Sequence, residues 1–349
     1  MKVAVVGGGI FGITIALKLA ESGHKIDLFE MNGKLLSCAS AVNQFRMHRG
    51  YHYPRSKETM IETREGFKKF KEFFEECLLE IFDHYYCMAK IGSLTSPEQF
   101  IKVCKELNLE YVITQPPEVV KSEKISLCLK VDEFMLSPSK LIKFCNENLK
   151  KQKVNVIFKK FTPSDIKKYD LIVAATYANQ NYLLEKYYPE KMVAYQFEVV
   201  EKLVIKLPPS FRNLSIVIFD GPFMCIDPYD ETEFHLMGNV VEAIHANNIG
   251  KFPEIPPKIK PLLNNGIIKN PKVTKFNEFI SSAKEFFVDV EKAEHIGSMF
   301  TVRTVFPYHE HDDARPTVVR RISDKLITVF SGKIPTCVIA ANEVIKEIQ

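Results

Sequence analysis

The sequence has no C-x-x-C pair, no block of like charge and no apolar run of the ~18 residues that a membrane span needs. Each absence removes a class of function. The eight cysteines (38, 77, 87, 104, 128, 145, 225 and 337) read as reduced thiols, because no export signal accompanies them. The apolar N-terminus runs straight into a glycine-rich stretch without a small-residue cleavage site, so it is not a signal peptide. A cytoplasmic location is the expectation. The net charge of +4 is spread along the chain, so neither a basic face nor a binding motif points to nucleic acid. Metal ligands are also scarce. His309, Glu310, His311, Asp312 and Asp313 form the one conceivable cluster, and a polar loop beside a site explains them better. No metal is expected.

The length of 349 residues suggests about two domains. The most informative stretch is the first thirty residues. Lys2-Val3-Ala4-Val5-Val6 reads as a buried strand, Ile13 to Ser22 as a helix stopped at Gly23, and Lys25 to Phe29 as a second strand closed by Glu30. Between strand and helix lies Gly7-x-Gly9-x-x-Gly12. Gly7 permits the tight turn, Gly9 lets a pyrophosphate approach the backbone, and Gly12 lets helix and strand pack closely. The helix N-terminus offers free N–H groups and the positive end of a dipole. Glu30, 18 residues beyond Gly12, is placed to accept from a ribose hydroxyl. An acid there argues against a 2′-phosphate, leaving FAD or NAD.

A second unusual stretch is Ser40 to Ser56, which is basic, aromatic and polar with no period of 2 or 3.6. Such a stretch reads as a loop lining a cleft. Amphipathic helices follow at Thr59–Glu76, Pro97–Leu107 and from Ser137 to about Lys151. Strands are expected at Tyr85–Ile91, Lys130–Phe134, Lys153–Phe158 and Tyr169–Thr176. From Val193 to His245 the pattern becomes an alternating, antiparallel meander. Phe276–Ala293 reads as a helix, Met299–Pro307 and Leu326–Phe330 as strands, and Ser331-Gly332-Lys333 as the turn into a last helix, Cys337–Ile348.

In these motifs the chain resembles the FAD-dependent D-amino-acid-oxidase-like (DAO) family. The likeness rests on the N-terminal fingerprint, His48-Arg49-Gly50-Tyr51-His52-Tyr53-Pro54-x-Ser56 with Ser40 and Asn43 before it, Asp170 to Thr176, Arg303, and the Gly332 turn. Three departures mark a divergent branch: Tyr177 and Thr301 replace usual glycines, and the last helix lacks a second one. The Asn43–Ser56 pattern is also similar to FAD oxidoreductases found with surface-polysaccharide genes.

The resemblance implies an α/β protein with a discontinuous Rossmann-like FAD-binding domain (1–84, 130–192 and 296–349) and a mostly antiparallel substrate domain (85–129 and 193–295). It implies FAD contacts from Gly7, Gly9, Ile10, Phe11, Gly12, Glu30, Met31, Ser40, Asn43, Gln44, Phe161, Ala175, Thr176, Gly332, Lys333, Ile334 and Thr336. The expected chemistry is hydride transfer to flavin N5 from a CH–OH or CH–NH group of a small, polar, anionic substrate, a sugar derivative being one candidate. His48 is the candidate base, with His52 and Tyr53 in reserve. Arg46, Tyr51, Arg303 and Arg315 are the candidate substrate contacts, Arg303 also standing among the catalytic residues. The turn at Ile334 to Thr336 is expected to present N–H donors to the reduced ring. An NAD-dependent dehydrogenase and a non-catalytic FAD-binding protein are the alternatives.

Overall fold

The apolar strand Lys2–Val6 is buried along most of its length, as a strand covered on both faces must be. In the computed structural model, which describes residues 1–309 and 311–349, it lies inside a six-stranded sheet. The strand order is Val318–Ser323, Leu326–Phe330, Leu171–Ala174, Lys2–Val6, Lys25–Glu30 and Asn155–Phe158. All pairings are parallel except that of the edge strand Val318–Ser323 with Leu326–Phe330. The chain therefore reaches this sheet in three separate passages. The first helix, Ile10–Glu21, packs on the last, Cys337–Ile348, and both feed one core cluster. This is the α/β, Rossmann-like unit that the glycine fingerprint requires.

A second, nine-stranded sheet is built on the long strand Tyr195–Lys206. The first part of the expected meander is thus one continuous strand of 12 residues. The strand is flanked by Ile244–Gly250 and His235–Asn239, from which Met224–Pro228, Leu214–Phe219, Asp83–Ala89, Ile125–Val131 and Tyr111–Ile113 follow. Pairing is antiparallel apart from Leu214–Phe219 beside Asp83–Ala89. Side chains alternate across the sheet as a pleated strand dictates. Leu203 and Ile205 join Phe279, Phe286 and Phe287 on the outer face, while Val204, Leu236 and Met299 join the core cluster of the parallel unit. A small third sheet pairs Arg46–Met47 and Leu78–Leu79 with Phe134–Leu136.

Three expectations need correction. The strand Glu294–Val305, expected at the head of the last FAD segment, pairs with Tyr195–Lys206 in the antiparallel sheet, so the sheets part near residue 306 rather than 296. The helix expected over 276–293 ends at Ala283, and Phe286, Phe287 and Val290 turn inward to the core instead. The strand Val318–Ser323 is unexpected, because a half-buried edge strand carries no continuous apolar run. The capped helix at Pro97–Glu106 is as expected, with Ser96 and Gln99 forming a capping box. All eight cysteines are free thiols, including the cross-strand neighbours Cys87 and Cys128. Among the described residues no helix is long and apolar enough to cross a membrane.

Candidate active site

At the first turn the glycines are fixed by close contacts. Gly7 has φ +112°, and a Cβ on it would lie 2.3 Å from the Ala175 carbonyl oxygen. A Cβ on Gly12 would lie 1.8 Å from the Gly7 carbonyl oxygen. Gly7 thus admits the strand end Ala175–Thr176, and Gly12 seats the helix on the turn. A Cβ on Gly9 would sit 3.2 Å from Ser40 Oγ, which itself accepts from the Ile10 amide at 3.0 Å. The amides of Phe11 and Gly12 find no acceptor among the described residues. That leaves orphan donors at a helix N-terminus, beside a backbone with no side chain in the way. Glu30 is buried and accepts from the Gly8 amide at 2.8 Å and from the amide and side chain of Asn32, both at 2.8 Å. A carboxylate has about four lone-pair sites, so capacity for a ribose hydroxyl remains. Met31 beside it is exposed. The turn fits a dinucleotide.

The chain returns to this turn twice. Thr176 leads into Tyr177, which adopts the left-handed φ of +47°. Such a conformation costs a bulky residue about 1–2 kcal/mol. The ring offsets some of that: the Tyr177 hydroxyl accepts from the Thr304 amide at 3.0 Å and the ring lies on Phe330. The glycine-like backbone is kept, and the side chain ties the parallel unit to the strand that carries Arg303. The second return is at Gly332, where a Cβ would meet the Arg315 carbonyl oxygen at 2.1 Å. Glycine here lets the Arg315–Thr317 loop lie against the last turn. Lys333 projects its ammonium over the Tyr53 ring at 4.4 Å, and burial lowers its pKa to about 8. Thr336 closes its own turn by donating from its amide and its hydroxyl to the Lys333 carbonyl, and Pro335 has no N–H. The row of donors expected from Ile334 to Thr336 is therefore not formed at Pro335 and Thr336.

The aperiodic loop threads between the two sheets. Asn43 holds its turn, donating to the carbonyls of Ala39 and Ser40 and accepting from the Phe45 amide at 2.7 Å. Gln44 donates to Asp227 at 2.8 Å and to Cys225 at 3.0 Å, and its Oε1 is buried without a partner. His48 Nδ1 lies 3.0 Å from Tyr86 Oη, and its ring stacks on His52 at 4.3 Å. Burial lowers the pKa of both imidazoles, that of His52 further, so both are neutral near pH 7. His52 Nδ1 is buried without a partner.

Three expected contacts are placed elsewhere. Arg46 is fully buried, bonded to Glu133 at 2.6 Å and Ser215 at 2.9 Å and paired with Asp227 at 3.6 Å. Its charge is paired inside the protein through Nε and Nη1, and its Nη2 is buried without a partner, so no part of it is open to a substrate. Tyr51 is buried and donates to the Glu110 carbonyl oxygen at 2.5 Å. Phe161 packs edge-on to Phe29 at 5.0 Å within a core cluster.

The remaining charges converge on one space. Arg303 pairs with Glu198, Arg315 with Asp313, and Arg55 with Asp220. Lys333 lies over the Tyr53 ring, which packs edge-on to His52 at 4.8 Å, and the Gly332 turn before it lies against the Arg315 loop. Lys202, on the inner face of the antiparallel sheet two residues from Val204, belongs with them. Burial lowers its pKa, partly offset by Cys225 and Asp227.

Residues 2–127 match the family model described as DAO, FAD dependent oxidoreductase. Over these residues the chain carries the FAD-dependent oxidoreductase signature of the DAO family. It is 24% identical over 356 residues to the FAD-dependent monooxygenase FPY4 of Fusarium mangiferae, covering 99% of this chain and 91% of that protein. Among solved structures it is similar to glycine oxidase from Geobacillus kaustophilus, with a TM-score of 0.73, 14% identity and coverage of 99% and 93%. It is also similar to L-proline dehydrogenase from P. horikoshii, with a TM-score of 0.74, 12% identity and the same coverage. At such identities the likeness is one of fold.

FAD is thus the cofactor of this DAO-type oxidoreductase, and NAD, the open alternative at the first turn, is set aside. The residues that sequence reasoning misses are Tyr86, Glu133, Glu198 and Lys202. A signal existed for two of them: Glu198, Val200, Lys202 and Val204 share one strand face, and charges on an inward face are anomalous. In the loop after Val305, His309 pairs with Asp312 at 3.0 Å, while Glu310 lies outside the described residues. Among the described residues no three potential ligands converge on a metal position.

Proposed function

We propose that this DAO-type enzyme oxidises a small anionic substrate at a CH–OH or CH–NH group, in the cleft between the antiparallel sheet and the FAD-binding turns. One observation carries the reading. Each arginine of the cleft has its own carboxylate, but among the described residues Lys202 and Lys333 have none within ion-pair distance. Two half-buried ammonium groups without counter-ions leave an excess of positive charge that an anion would offset. A carboxylate or phosphate held there gains charge-assisted hydrogen bonds from Lys202, Arg303 and Arg315.

Gly9, the Phe11 and Gly12 amides and Ser40 would hold the pyrophosphate of FAD, and Glu30 its ribose. When bound, FAD supplies the two-electron acceptor for a hydride. The chain's own residues orient the substrate and move a proton. His48 is neutral at pH 7 and only partly buried, so it takes the O–H or N–H proton as general base. Lys333 and Tyr53 stand beside it as a cation and a hydroxyl. The names of the two structural neighbours support an amino acid, and an anionic sugar derivative presents the same two features of charge and oxidisable carbon.

Anaerobic titration of the flavoprotein tests this. Hydroxy and amino acids, with sugar acids, are expected to bleach the flavin at concentrations about 10- to 100-fold lower than their uncharged amides, as removal of one charge-assisted hydrogen bond implies. Equal potency of acid and amide would remove the anion from the proposal. The name of the fungal relative supports a second reading, in which one atom of O2 enters the product. Product formed under 18O2 separates the two, since a simple oxidation leaves the label out.

A further inference from the structure

A buried carboxylate and an imidazole both meet the hydroxyl of one phenol beside the cleft. Glu133 is buried, and its Oε2 accepts from Arg46 Nε at 2.6 Å and from Tyr86 Oη at 3.1 Å. Its Oε1 accepts from the Arg49 amide at 2.8 Å. Tyr86 in turn lies 3.0 Å from His48 Nδ1. Glu133 itself is 3.8 Å from His48 Nδ1, too far for a hydrogen bond.

We infer that Tyr86, pinned by Glu133, is the positioning residue that holds His48 with its proton on Nδ1 and its lone pair on Nε2. The deduction is a count of protons. Paired with Arg46, Glu133 is a carboxylate and can only accept. Tyr86 has one O–H, and that proton must point to Glu133, or two acceptor oxygens would face each other at 3.1 Å inside the protein. The phenol oxygen is then left as an acceptor, so the hydrogen between it and His48 belongs to Nδ1. A ring turned over would set a carbon against that oxygen and lose the bond. Nε2, which has no protein partner among the described residues, keeps its lone pair free. This rests on His48 being the base proposed above, and it names the nitrogen that accepts the proton.

The tautomer is read directly from the 15N-histidine-labelled FAD-bound protein at pH 8, in long-range proton–nitrogen correlation spectra, with His48 assigned by difference from His48→Gln. The expected pattern is a pyrrole-type Nδ1 and a pyridine-type Nε2. The reverse pattern overturns the inference, and that result does not depend on Tyr86→Phe. Tyr86→Phe keeps the ring against Tyr51 and Phe219 and removes only the acceptor. It is expected to give averaged shifts of mixed tautomers and about tenfold slower flavin reduction at saturating substrate, with the substrate Kd unchanged. Unaltered shifts in Tyr86→Phe overturn the role of Tyr86. The parent reading fails separately: wild-type reduction rates in His48→Ala remove His48 as base, even where the tautomer is as assigned.

Discussion

Arg46 and Arg303 begin alike, as arginines in motifs that suggest an anion clamp, and end in opposite surroundings. The Arg46 side chain has no exposed surface, lies 4.5 Å over the Tyr86 ring and meets Glu133, Ser215 and Asp227. The Arg303 side chain is 39% exposed, with Glu198 as its one ion-pair partner among the described residues and the positive charges of Lys202 and Arg315 acting on the same space. The first cluster pairs its charge with internal carboxylates, leaving only the buried Arg46 Nη2 without a partner, and the second keeps an excess of positive charge. A buried arginine whose partners are all internal holds structure; a half-open one in a surplus of positive charge is available to a substrate. Residue type alone carries neither conclusion.

The sharpest way to break this contrast is at Glu133. Burial pushes its carboxyl pKa up, but the Arg46 guanidinium and the His48 contact outweigh that and hold it well below the ordinary range. Glu133→Gln leaves Arg46 facing Asp227 alone at 3.6 Å. Removing one member of a buried pair typically costs about 3–5 kcal/mol, which would lower Tm by roughly 5–10 °C. Because the folded pKa lies below the unfolded one near 4.3, this stabilisation is complete above about pH 4.3 and is lost as pH falls through the folded value. The variant is therefore expected to unfold at lower temperature at pH 7 and to lose stability less steeply than wild type below pH 4. Thermal melts across that range decide it, and a wild-type Tm at pH 7 would mean that the Arg46 cluster holds little.

Such a distinction shows which features are legible in the sequence. The glycine fingerprint, the buried strands and the split into a parallel and an antiparallel layer are local patterns, and local patterns report backbone geometry. The same holds for Gly7 and Gly12, whose expected close approaches are to carbonyl oxygens that the fold brings near. The polar site is different. Glu133 reaches Arg46 across 87 positions, and Arg303 reaches Glu198 across 105. No spacing rule links them, because strand pairing makes the contact. The strand Glu294–Val305 falls in the unexpected layer for the same reason: its apolar pattern suits either sheet, and only its register with Tyr195–Lys206 decides. Tyr177 shows the reverse case, a departure from a family glycine that is accommodated by a hydrogen bond to Thr304.

The next largest effect should appear at the other arginine, and in a different measurement. Arg303→Met removes the partner of Glu198, which keeps a hydrogen bond from Gln196 at 2.8 Å. The drop in stability is expected at about 1–3 kcal/mol, below that for Glu133. Substrate affinity should fall about 10- to 100-fold while FAD stays bound, since the guanidinium would bind the anion through a charge-assisted hydrogen bond. Anaerobic titration reads the affinity and a thermal melt the stability. A large fall in Tm with unchanged affinity would make Arg303 a second Arg46 and dissolve the comparison.

Lys202→Met should have the smallest effect and the most diagnostic sign. Burial holds the Lys202 pKa below the ordinary lysine value, and no carboxylate among the described residues pairs with it. A group whose folded pKa is depressed in this way costs stability while protonated; the cost is full below the folded pKa, shrinks as pH rises through it and is gone above the unfolded value. Replacing such a charge with a methionine of similar length is expected to leave Tm at pH 7 unchanged or slightly raised. Affinity for the anionic substrate should still fall, by about tenfold, as removal of one favourable charge predicts. Stability retained while affinity falls is the signature of a residue kept for its ligand. Only the half-open cluster should show it: a fall in Tm comparable with that of Glu133→Gln would place Lys202 with the scaffold.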